Sequence, residues 1–405
     1  MLESEDSGKT ITMASTVDIP RSVANFRFFA GAIRHDEGGR SFHMDSAVNF
    51  TSRSPLGVAA LITPWNLPLY LLSWKVAPAL ACGNTVVCKP SEMTPRTANA
   101  LAALMLQAGV PPGVFNVVHG PGGGGVGARL CSHPDVKLVS FTGGTATGAQ
   151  VAATAAPLFK RLSLELGGKN ATVFFADTPL EKAVAAAKRA GFANNGQVCL
   201  CGSRIFIQRP LYDRFVVAFG AAVSSMVVGD PALPGTEVGP LSSAAHRDKV
   251  LSYIRMGVEE EEGGVVVTGG LAPPPNLPPH CAGGYFVAPT VLAGLDARTS
   301  RVAREEVFGP VVTLHPFDTE EEVIEAVNDS PYGLCANVWT DSQGVALRVA
   351  KRLEVGIVWV NTWLHRDLRT PFGGWKDSGV GREGGQHSLD FYSEAKNTCL
   401  FIEPK

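Results

Sequence analysis

The sequence predicts an α/β fold made of two α/β domains and one small β element. The chain has 405 residues, which is more than one ordinary domain holds. Hydrophobic residues make up 45% of it, which is enough for more than one sizeable core. Short β-rich runs alternate with alanine-rich helical runs, and this alternation restarts in the middle of the chain. We therefore expect two layered domains built in succession.

The first alternation predicts a parallel sheet with helices on both faces. A helix over residues 97–109 is expected to end at Gly109, because a glycine followed by Pro111 and Pro112 is a helix stop signal. Strand, helix and strand at such spacing are typical of repeated βαβ units. The predicted strands are 57–62, 84–89, 114–118 and 136–141, and the other predicted helices are 69–81 and a short one ending at residue 133.

The second alternation begins near Ala171, with strands at 172–175 and 205–207 and helices at 180–192 and 211–223. Outside both alternations, residues 40–54 are typical of a projecting hairpin, and residues 398–402 of its partner strand. The predicted domains are 1–39 with 55–167, then 168–375, and a small β element of 40–54 with 376–405.

Composition excludes several classes of function. The formal net charge is −2, so the chain has no excess of positive charge with which to bind nucleic acid or an anionic membrane. The acidic N-terminus has no basic or apolar region of a signal peptide, and no apolar run is long enough to span a bilayer. The eight cysteines are scattered and form no compact disulfide framework. No cluster of Cys or His at zinc-finger spacing accompanies the Cys199-x-Cys201 pair, so a metal site is not expected. We expect a cytoplasmic protein that binds a small molecule and no metal.

The most informative stretch is Phe-Ala-Asn-Asn-Gly-Gln-Val-Cys at residues 192–199. It follows a predicted helix, and the Gly196-Gln197 break predicts that Cys199 lies in a turn. A turn exposes the thiol and its backbone N–H to a cleft, as a nucleophile requires. The alternative is that Cys199 is a small buried hydrophobic residue, as most free cysteines are.

A second candidate is Glu165, a carboxylate at the end of an apolar strand and next to two glycines. Burial of such an anion is costly and raises its pKa, which suits a general base near neutral pH. The alternative is a structural glutamate paired with Lys169 or Arg161.

Two further motifs are typical of nucleotide binding, although each could be an ordinary loop. Gly143 and Gly148 follow a strand and open a helix, where backbone N–H groups can approach a pyrophosphate. Lys89 and Glu92 follow another strand and could hold a ribose. Asn66 offers an amide that could donate to an oxyanion.

Together these motifs closely resemble the aldehyde dehydrogenase superfamily, in the order and spacing of that family and over essentially the whole chain. They are Trp65-Asn66, Lys89-Pro-Ser-Glu92, Phe141-Thr-Gly143, Glu165-Leu-Gly-Gly-Lys169, Asn195-Gly-Gln-Val-Cys199, Glu306-Val-Phe-Gly-Pro310 and Pro371-Phe-Gly-Gly374. The resemblance implies a Rossmann-type coenzyme domain, an α/β catalytic domain and a β element for oligomerisation. It implies a homodimer or homotetramer, because such strands pair between subunits.

The resemblance also implies a role for each residue. Cys199 is the expected nucleophile, Asn66 and the Cys199 backbone N–H the oxyanion donors, and Glu165 the base that activates water. The coenzyme is expected to be NAD, because a carboxylate at Glu92 would repel the 2′-phosphate of NADP. The expected coenzyme-binding residues are Trp65, Lys89, Glu92, Gly143, Gly148, Glu306 and Phe308.

A narrower resemblance points to the branch that oxidises 2-aminomuconic semialdehyde in tryptophan catabolism, through the kynurenine pathway. It rests on the segments at 18–26, 203–206 and 363–366. In that branch the residues matching Arg21 and Arg366 bind the substrate carboxylate, a task that suits arginine. Phe372 is expected beside the substrate, and Arg369 is an alternative to Arg366.

Three departures leave alternatives open. Gly144 stands where the family often has serine, and loop 120–125 is unusually rich in glycine. Residues 2–9 resemble a mid-domain segment of the family, so we expect the family's N-terminal segment to be absent. A catalytically silent form that associates with partner subunits is therefore the alternative function. A thiol hydrolase that uses Cys199 and Glu165 without coenzyme is a third hypothesis.

Overall fold

The computed structural model describes residues 1–122, 124–260 and 263–402, so Gly123 of the glycine-rich loop lies outside the described residues. The chain forms two compact units. We call them the Cys199 unit (Met1–Thr16, Glu165–Arg366 and Gly373–Val380) and the Lys89 unit (Val17–Leu164, Asp367–Phe372 and Gly381–Lys405).

The sheet of the Lys89 unit has the predicted strands in a Rossmann-like order. Five of its strands lie side by side in the order Arg161–Glu165, Val136–Thr142, Val58–Ile62, Thr85–Lys89 and Phe115–Val117. The four strands from Val136–Thr142 onward pair in parallel. The helices of this unit are Ile19–Ala32, Pro68–Ala81, Arg96–Gln107, Val126–Ser132, Thr145–Ala155 and Gly385–Phe391, with a 3₁₀ turn at Ala156–Leu158.

The core of the Lys89 unit lies between this sheet and its helices. Leu61 and Val86 of the central strands pack against Leu72 and Val76, and all four are essentially inaccessible to solvent. One ion pair is buried close by: Lys75 Nζ lies 2.8 Å from Glu383 Oε1 and 2.8 Å from Ser140 Oγ. Buried charges are tolerated when they are paired and hydrogen-bonded in this way.

A separate three-stranded antiparallel sheet confirms the predicted hairpin and its partner strand. The strands Ser41–Met44 and Ala47–Pro55 form the hairpin, and Ser393–Phe401 pairs with the longer strand over its full length. Several large apolar side chains on this sheet are exposed, among them Phe42, Met44 and Phe401. This sheet belongs to the Lys89 unit, whereas the sequence prediction treated it as an element of its own.

The Cys199 unit contains a seven-stranded sheet. In spatial order its strands are Val265–Thr268, Thr290–Ala293, Val311–Phe317, Arg204–Gln208, Ala171–Phe174, Cys335–Trp339 and Ile357–Val360. Every neighbouring pair is parallel except the first. The short strands are Tyr332–Gly333, Trp375–Lys376 and Gly379–Val380.

Helices surround that sheet and cover it with apolar side chains. The longer ones are Leu180–Phe192, Arg209–Ser224, Ala244–Arg255, Glu320–Asn328 and Gln343–Arg352, and the shorter ones are Leu2–Ser7, Ile11–Met13, Arg301–Arg304, the 3₁₀ turns Ala193–Gly196 and Pro279–Cys281, and the π-helical stretches Ala14–Asp18 and Met256–Glu260. Phe215 and Phe219 stack on each other within this core, with ring centroids 5.1 Å apart.

The N-terminal residues differ from the sequence prediction, which placed 1–39 in the coenzyme domain. Met1–Thr16 belongs to the Cys199 unit. The backbone N–H of Ile11 donates to the Pro231 carbonyl at 2.7 Å, and a side chain at Gly239 would strike the Gly8 carbonyl. These contacts are made by main-chain atoms. The pattern of apolar side chains in the sequence therefore could not predict them.

Across the described ranges of the chain, helices that combine the length and the apolar character needed to cross a bilayer were not found. All eight cysteines lie within those ranges and are free thiols.

Candidate active site

The Cys199 turn is produced by three consecutive residues with left-handed backbone. After the helix Leu180–Phe192, Asn194, Asn195 and Gly196 have φ values of 50°, 60° and 70°. Asparagine and glycine tolerate this conformation better than other residues. A Cβ at Gly196 would lie 2.0 Å from the Gly309 carbonyl oxygen, so this position requires glycine. The predicted turn at Cys199 is confirmed.

Buried side chains hold the three carbonyl groups of residues 199–201. The Asn170 amide donates to the carbonyls of Cys199 at 2.6 Å and Cys201 at 3.0 Å. The Trp363 indole N–H donates to the Leu200 carbonyl between them at 2.9 Å. The backbone around the thiol is therefore fixed by side chains from other elements of the same unit.

The surroundings of Cys199 favour the neutral thiol. The residue keeps intermediate exposure, but burial of its thiol is the largest cause that raises the pKa of Cys199 well above its ordinary value. The negative charges of Glu306 and Glu165 raise this pKa further, and the Arg366 guanidinium lowers it. Glu165, Glu306 and Arg366 thus lie within electrostatic range of the Cys199 thiol.

Glu165 lies at the end of the strand Arg161–Glu165 and is only 5% exposed. The two cations considered as structural partners of Glu165 differ in their surroundings. Arg161 binds Glu394 at 2.8 Å. Burial, followed by the charge of Arg204, lowers the pKa of Lys169 to about 7, so Lys169 carries only part of its positive charge at neutral pH.

Glu306 is oriented by the glycines after Glu165. The backbone N–H of Gly168 donates to Glu306 Oε1 at 2.9 Å, and a Cβ at Gly167 would lie 2.2 Å from Glu306 Oε2. Burial is the main cause that raises the pKa of Glu306, and it outweighs the opposing hydrogen bond from Gly168. Phe308, two residues later, has φ 60°.

The sequence analysis did not identify two residues that hold the backbone of the segment from Glu306 to Phe308. His246 Nε2 lies 2.7 Å from the Phe308 carbonyl, and Lys249 Nζ donates to the Glu306 carbonyl at 3.1 Å. Both lie on one face of the helix Ala244–Arg255, one turn apart. Since both act on main-chain carbonyls, only the i, i+3 spacing of two polar residues could have signalled them.

Arg366 and its alternative Arg369 differ in their surroundings. Arg369 is highly exposed and forms a paired contact with Asp367, with Nε 2.9 Å from Oδ1. This contact is the main cause that lowers the pKa of Asp367. Arg366 is partly buried and acts electrostatically on Cys199. The geometry therefore favours Arg366 over Arg369 as the arginine near the thiol.

The Lys89 unit contains a cavity of about 520 Å³ at the carboxyl ends of its central strands. Its lining includes Trp65, Lys89, Glu92 and Gly143, as the sequence predicted for one site. Lys89 Nζ lies 2.9 Å from Glu92 Oε2. Burial acts to raise the pKa of Glu92, but hydrogen bonds from its own backbone and from Lys89 lower it overall, so the carboxylate is charged at neutral pH.

The remaining predicted residues lie elsewhere in the Lys89 unit. Gly148 is buried in the helix Thr145–Ala155 and does not line the cavity described above. Asn66 is 4% exposed in the loop after Val58–Ile62. Phe372 is buried, and its backbone N–H donates to the Glu383 main-chain carbonyl at 2.8 Å. The Arg21 guanidinium lies over two rings, 5.5 Å from the centroid of Tyr70 and 5.8 Å from that of Trp74.

Relatives support the family indicated by these motifs. The model of the "Aldehyde dehydrogenase family" matches residues 1–398. A 2-aminomuconic 6-semialdehyde dehydrogenase of Pseudomonas sp. is 50% identical, over 99% of this chain and 82% of its own length. A 2-hydroxymuconic semialdehyde dehydrogenase of Pseudomonas sp. (strain CF600) is 51% identical, over 98% of this chain and 82% of its own.

Solved structures of related enzymes have the same fold. A betaine aldehyde dehydrogenase from Staphylococcus aureus, solved with NAD⁺, is 39% identical with a TM-score of 0.95, over 100% of this chain and 79% of that one. PnpE in complex with nicotinamide adenine dinucleotide is 41% identical with a TM-score of 0.95, over 100% of this chain and 81% of that one. The predicted family is confirmed: this chain belongs to the aldehyde dehydrogenase family.

Proposed function

We propose that this protein oxidises a carboxylated semialdehyde of the muconic class to the carboxylic acid, with NAD as coenzyme and Cys199 as nucleophile. The observation that carries the proposal is the Cys199 turn, which Asn170 and Trp363 hold in place. Glu165, Glu306 and Arg366 lie within electrostatic range of its thiol. The substrate class is inferred from two relatives named for 2-aminomuconic and 2-hydroxymuconic semialdehydes.

The cavity of the Lys89 unit fits the adenosine and pyrophosphate part of NAD. Gly144 caps the helix Thr145–Ala155 and lines this cavity, and no atom lies within 4 Å of the position that a Cβ would occupy there. A phosphate can therefore approach the positive end of the helix dipole without a side chain in between. The charged Glu92 suits ribose hydroxyls and would repel the 2′-phosphate of NADP.

Chemistry begins with the Cys199 thiol, which must lose its proton before it attacks. Because burial and two carboxylates hold its pKa high, a nearby base has to accept that proton, and Glu165 is the carboxylate assigned to this task. Attack on the aldehyde carbon gives a thiohemiacetal whose oxyanion takes a hydrogen bond from the Cys199 N–H. Asn66 is assigned as the second donor from the family motif alone.

Oxidation of the thiohemiacetal to a thioester requires loss of a hydride, and bound NAD would supply the acceptor for it. Glu306 is assigned to the nicotinamide ribose, with Phe308 beside it, and Gly168 holds the carboxylate in place. Glu165 releases the thiol proton to solvent and then accepts a proton from water as the water attacks the thioester, so that the acid leaves and the Cys199 thiolate is regenerated. Arg366 is assigned to the distal carboxylate of the substrate. Arg21 and Phe372 are assigned to substrate binding from the family resemblance alone.

We further propose that the chain assembles as a homodimer or homotetramer and acts in the cytoplasm. The exposed apolar side chains and the unpaired edges of the three-stranded sheet favour strand pairing between copies. Eight free thiols are typical of a reducing compartment. If 2-aminomuconic semialdehyde is the substrate, the enzyme acts in the kynurenine pathway of tryptophan catabolism.

The first test measures NADH formation from NAD and 2-hydroxymuconic semialdehyde by the wild type, Cys199→Ala and Cys281→Ala. Cys281 is a buried thiol of the same unit and serves as the matched control. We expect Cys199→Ala to fold and form no NADH, and Cys281→Ala to retain activity. NADH formation by Cys199→Ala at the wild-type rate would show that the nucleophile is wrong.

Two other outcomes would favour the alternative functions. A folded wild type that forms no NADH from this or simpler aldehydes would favour the silent, partner-associated form. Hydrolysis of a nitrophenyl ester without NAD, faster than any aldehyde oxidation and lost in Cys199→Ala, would favour the thiol hydrolase.

A further inference from the structure

The segment that carries Arg366 has an unusual backbone. Residues 361–366, which we call the Arg366 loop, follow the strand Ile357–Val360. Asn361 and Leu364 both have left-handed backbone, with φ values of 55° and 59°. Asparagine adopts this conformation readily, but for leucine it is strained because Cβ comes close to the following carbonyl oxygen. Contacts around the loop must therefore hold Leu364 in place.

Two buried tryptophans provide those contacts through their indole N–H groups. Trp359 Nε1 donates to the His365 carbonyl at 2.9 Å and so closes the loop on its own strand. Trp363 Nε1 donates to the Leu200 carbonyl at 2.9 Å. The two side chains are 7% and 3% exposed. An indole is rigid and has a single donor, so each bond fixes one distance.

The bond from Trp363 reaches the nucleophile segment. Leu200 follows Cys199 directly, and the carbonyls on either side of Leu200 are held by Asn170. The Arg189 guanidinium lies 6.0 Å from the centroid of the Trp363 ring and covers its face. Trp363 therefore links the Arg366 loop to a segment that does not move freely.

The hydrogen bond from Trp363 to Leu200 matters because Arg366 would bind the carboxylate, and Cys199 the aldehyde, at opposite ends of one substrate. Arg366 is close enough to the thiol to influence its ionisation. Pairing of an arginine with a carboxylate depends on orientation as well as distance. A semialdehyde acid is placed for attack only if the span between the guanidinium and the sulfur matches its own length.

We propose that Trp363 is a positioning residue that selects carboxylated aldehydes by holding the Arg366 loop at a fixed span from the Cys199 segment. The inference rests on the proposed function, in which Cys199 is the nucleophile and Arg366 binds the carboxylate. Trp363 itself contacts neither end of the substrate; it acts through the Leu200 carbonyl and the backbone of the loop.

The test compares kcat/KM for 2-hydroxymuconic semialdehyde with kcat/KM for hexanal, which has no carboxylate. Trp363→Phe keeps the ring but removes the N–H. We expect the ratio of the two values to fall roughly 3- to 10-fold, the effect of one hydrogen bond, chiefly through KM for the carboxylated substrate. Activity with hexanal stays close to that of the wild type.

Trp339→Phe is the matched control. Trp339 is also buried, at 7% exposure, and its indole N–H donates to Asn337 Oδ1 at 2.7 Å within the same unit. Both variants lose one buried indole hydrogen bond, so both lose stability, but only Trp363→Phe should change the substrate ratio. If Trp363→Phe does not fold, Trp359→Phe opens the same loop at its other end and should also lower the ratio.

Arg366→Gln separates the two ways in which the idea can fail. If Arg366→Gln collapses the ratio but Trp363→Phe changes both substrates equally or neither, the positioning role is wrong and the proposed carboxylate site stands. If Arg366→Gln leaves the ratio unchanged, the carboxylate role of Arg366 fails, and the role of Trp363 fails with it. Loss of NADH formation in Cys199→Ala is scored independently of both.

Discussion

The contact between Gly167 and Glu306 predicts that a single methyl group will disable coenzyme handling. In Gly167→Ala the new Cβ would lie 2.2 Å from Glu306 Oε2 and 2.8 Å from its carboxyl carbon. Ordinary carbon–oxygen contact needs more than about 3 Å, so the carboxylate must retreat by roughly 1 Å. That shift breaks the 2.9 Å hydrogen bond from Gly168. A hydrogen bond to a charged group contributes about 1.5–3 kcal/mol, which corresponds to a roughly 10- to 150-fold loss in kcat/KM for NAD.

Steady-state kinetics at saturating aldehyde, with NAD varied, measure this loss. Gly235→Ala is the control, because Gly235 is an exposed glycine of the same unit with nothing within 4 Å of its Cβ position. We expect the control to match the wild type in kinetics and melting temperature. If Gly167→Ala keeps kcat/KM for NAD within twofold of the wild type, Glu306 has room to relax and the assigned ribose contact is not limiting.

Two other predictions concern charge. Lys75→Met leaves the buried Glu383 carboxylate without its 2.8 Å partner and should lower the free energy of unfolding by about 3–5 kcal/mol. For a unit of this size, that lowers the melting temperature by roughly 6–20 °C in a thermal melt. The double variant with Glu383→Leu should recover part of the loss, and no recovery would contradict a paired origin. Glu306→Gln removes a negative charge that raises the pKa of Cys199, so that pKa falls and the pH profile of Cys199 alkylation by iodoacetamide moves to lower pH. An unmoved profile would show that the charge of Glu306 does not raise this pKa.

The parts of the fold with local signals were predictable from sequence. The helix Leu180–Phe192 has the predicted bounds, because an alanine-rich run there ends at residues that favour left-handed backbone. The strand Thr85–Lys89 and the helix Arg96–Gln107 lie within two residues of their predicted limits. Glycine, proline and asparagine terminate elements by backbone geometry, which single residues encode.

Contacts made through main chain were not predictable. His246 and Lys249 hold carbonyl groups of the Glu306 loop, and a carbonyl has the same chemistry whichever residue carries it. The grouping of Met1–Thr16 with the Cys199 unit depends likewise on Gly8 and Ile11 backbone contacts. The sequence indicated which side chains carry the chemistry, but it could not indicate what holds their backbones.

The same distinction explains why the site tolerates little change at its glycines. Gly196, in the turn before Cys199, lies against Gly309, in the loop after Glu306, so that a Cβ at residue 196 would be 2.0 Å from the carbonyl oxygen. The turn before Cys199 and the loop after Glu306 are therefore in direct contact, and neither can shift without displacing the other. Because interiors are close-packed, such a displacement is transmitted and not absorbed. A substitution in either loop should thus change nucleophile reactivity and coenzyme affinity together, whereas loosening of the Arg366 loop changes substrate choice alone.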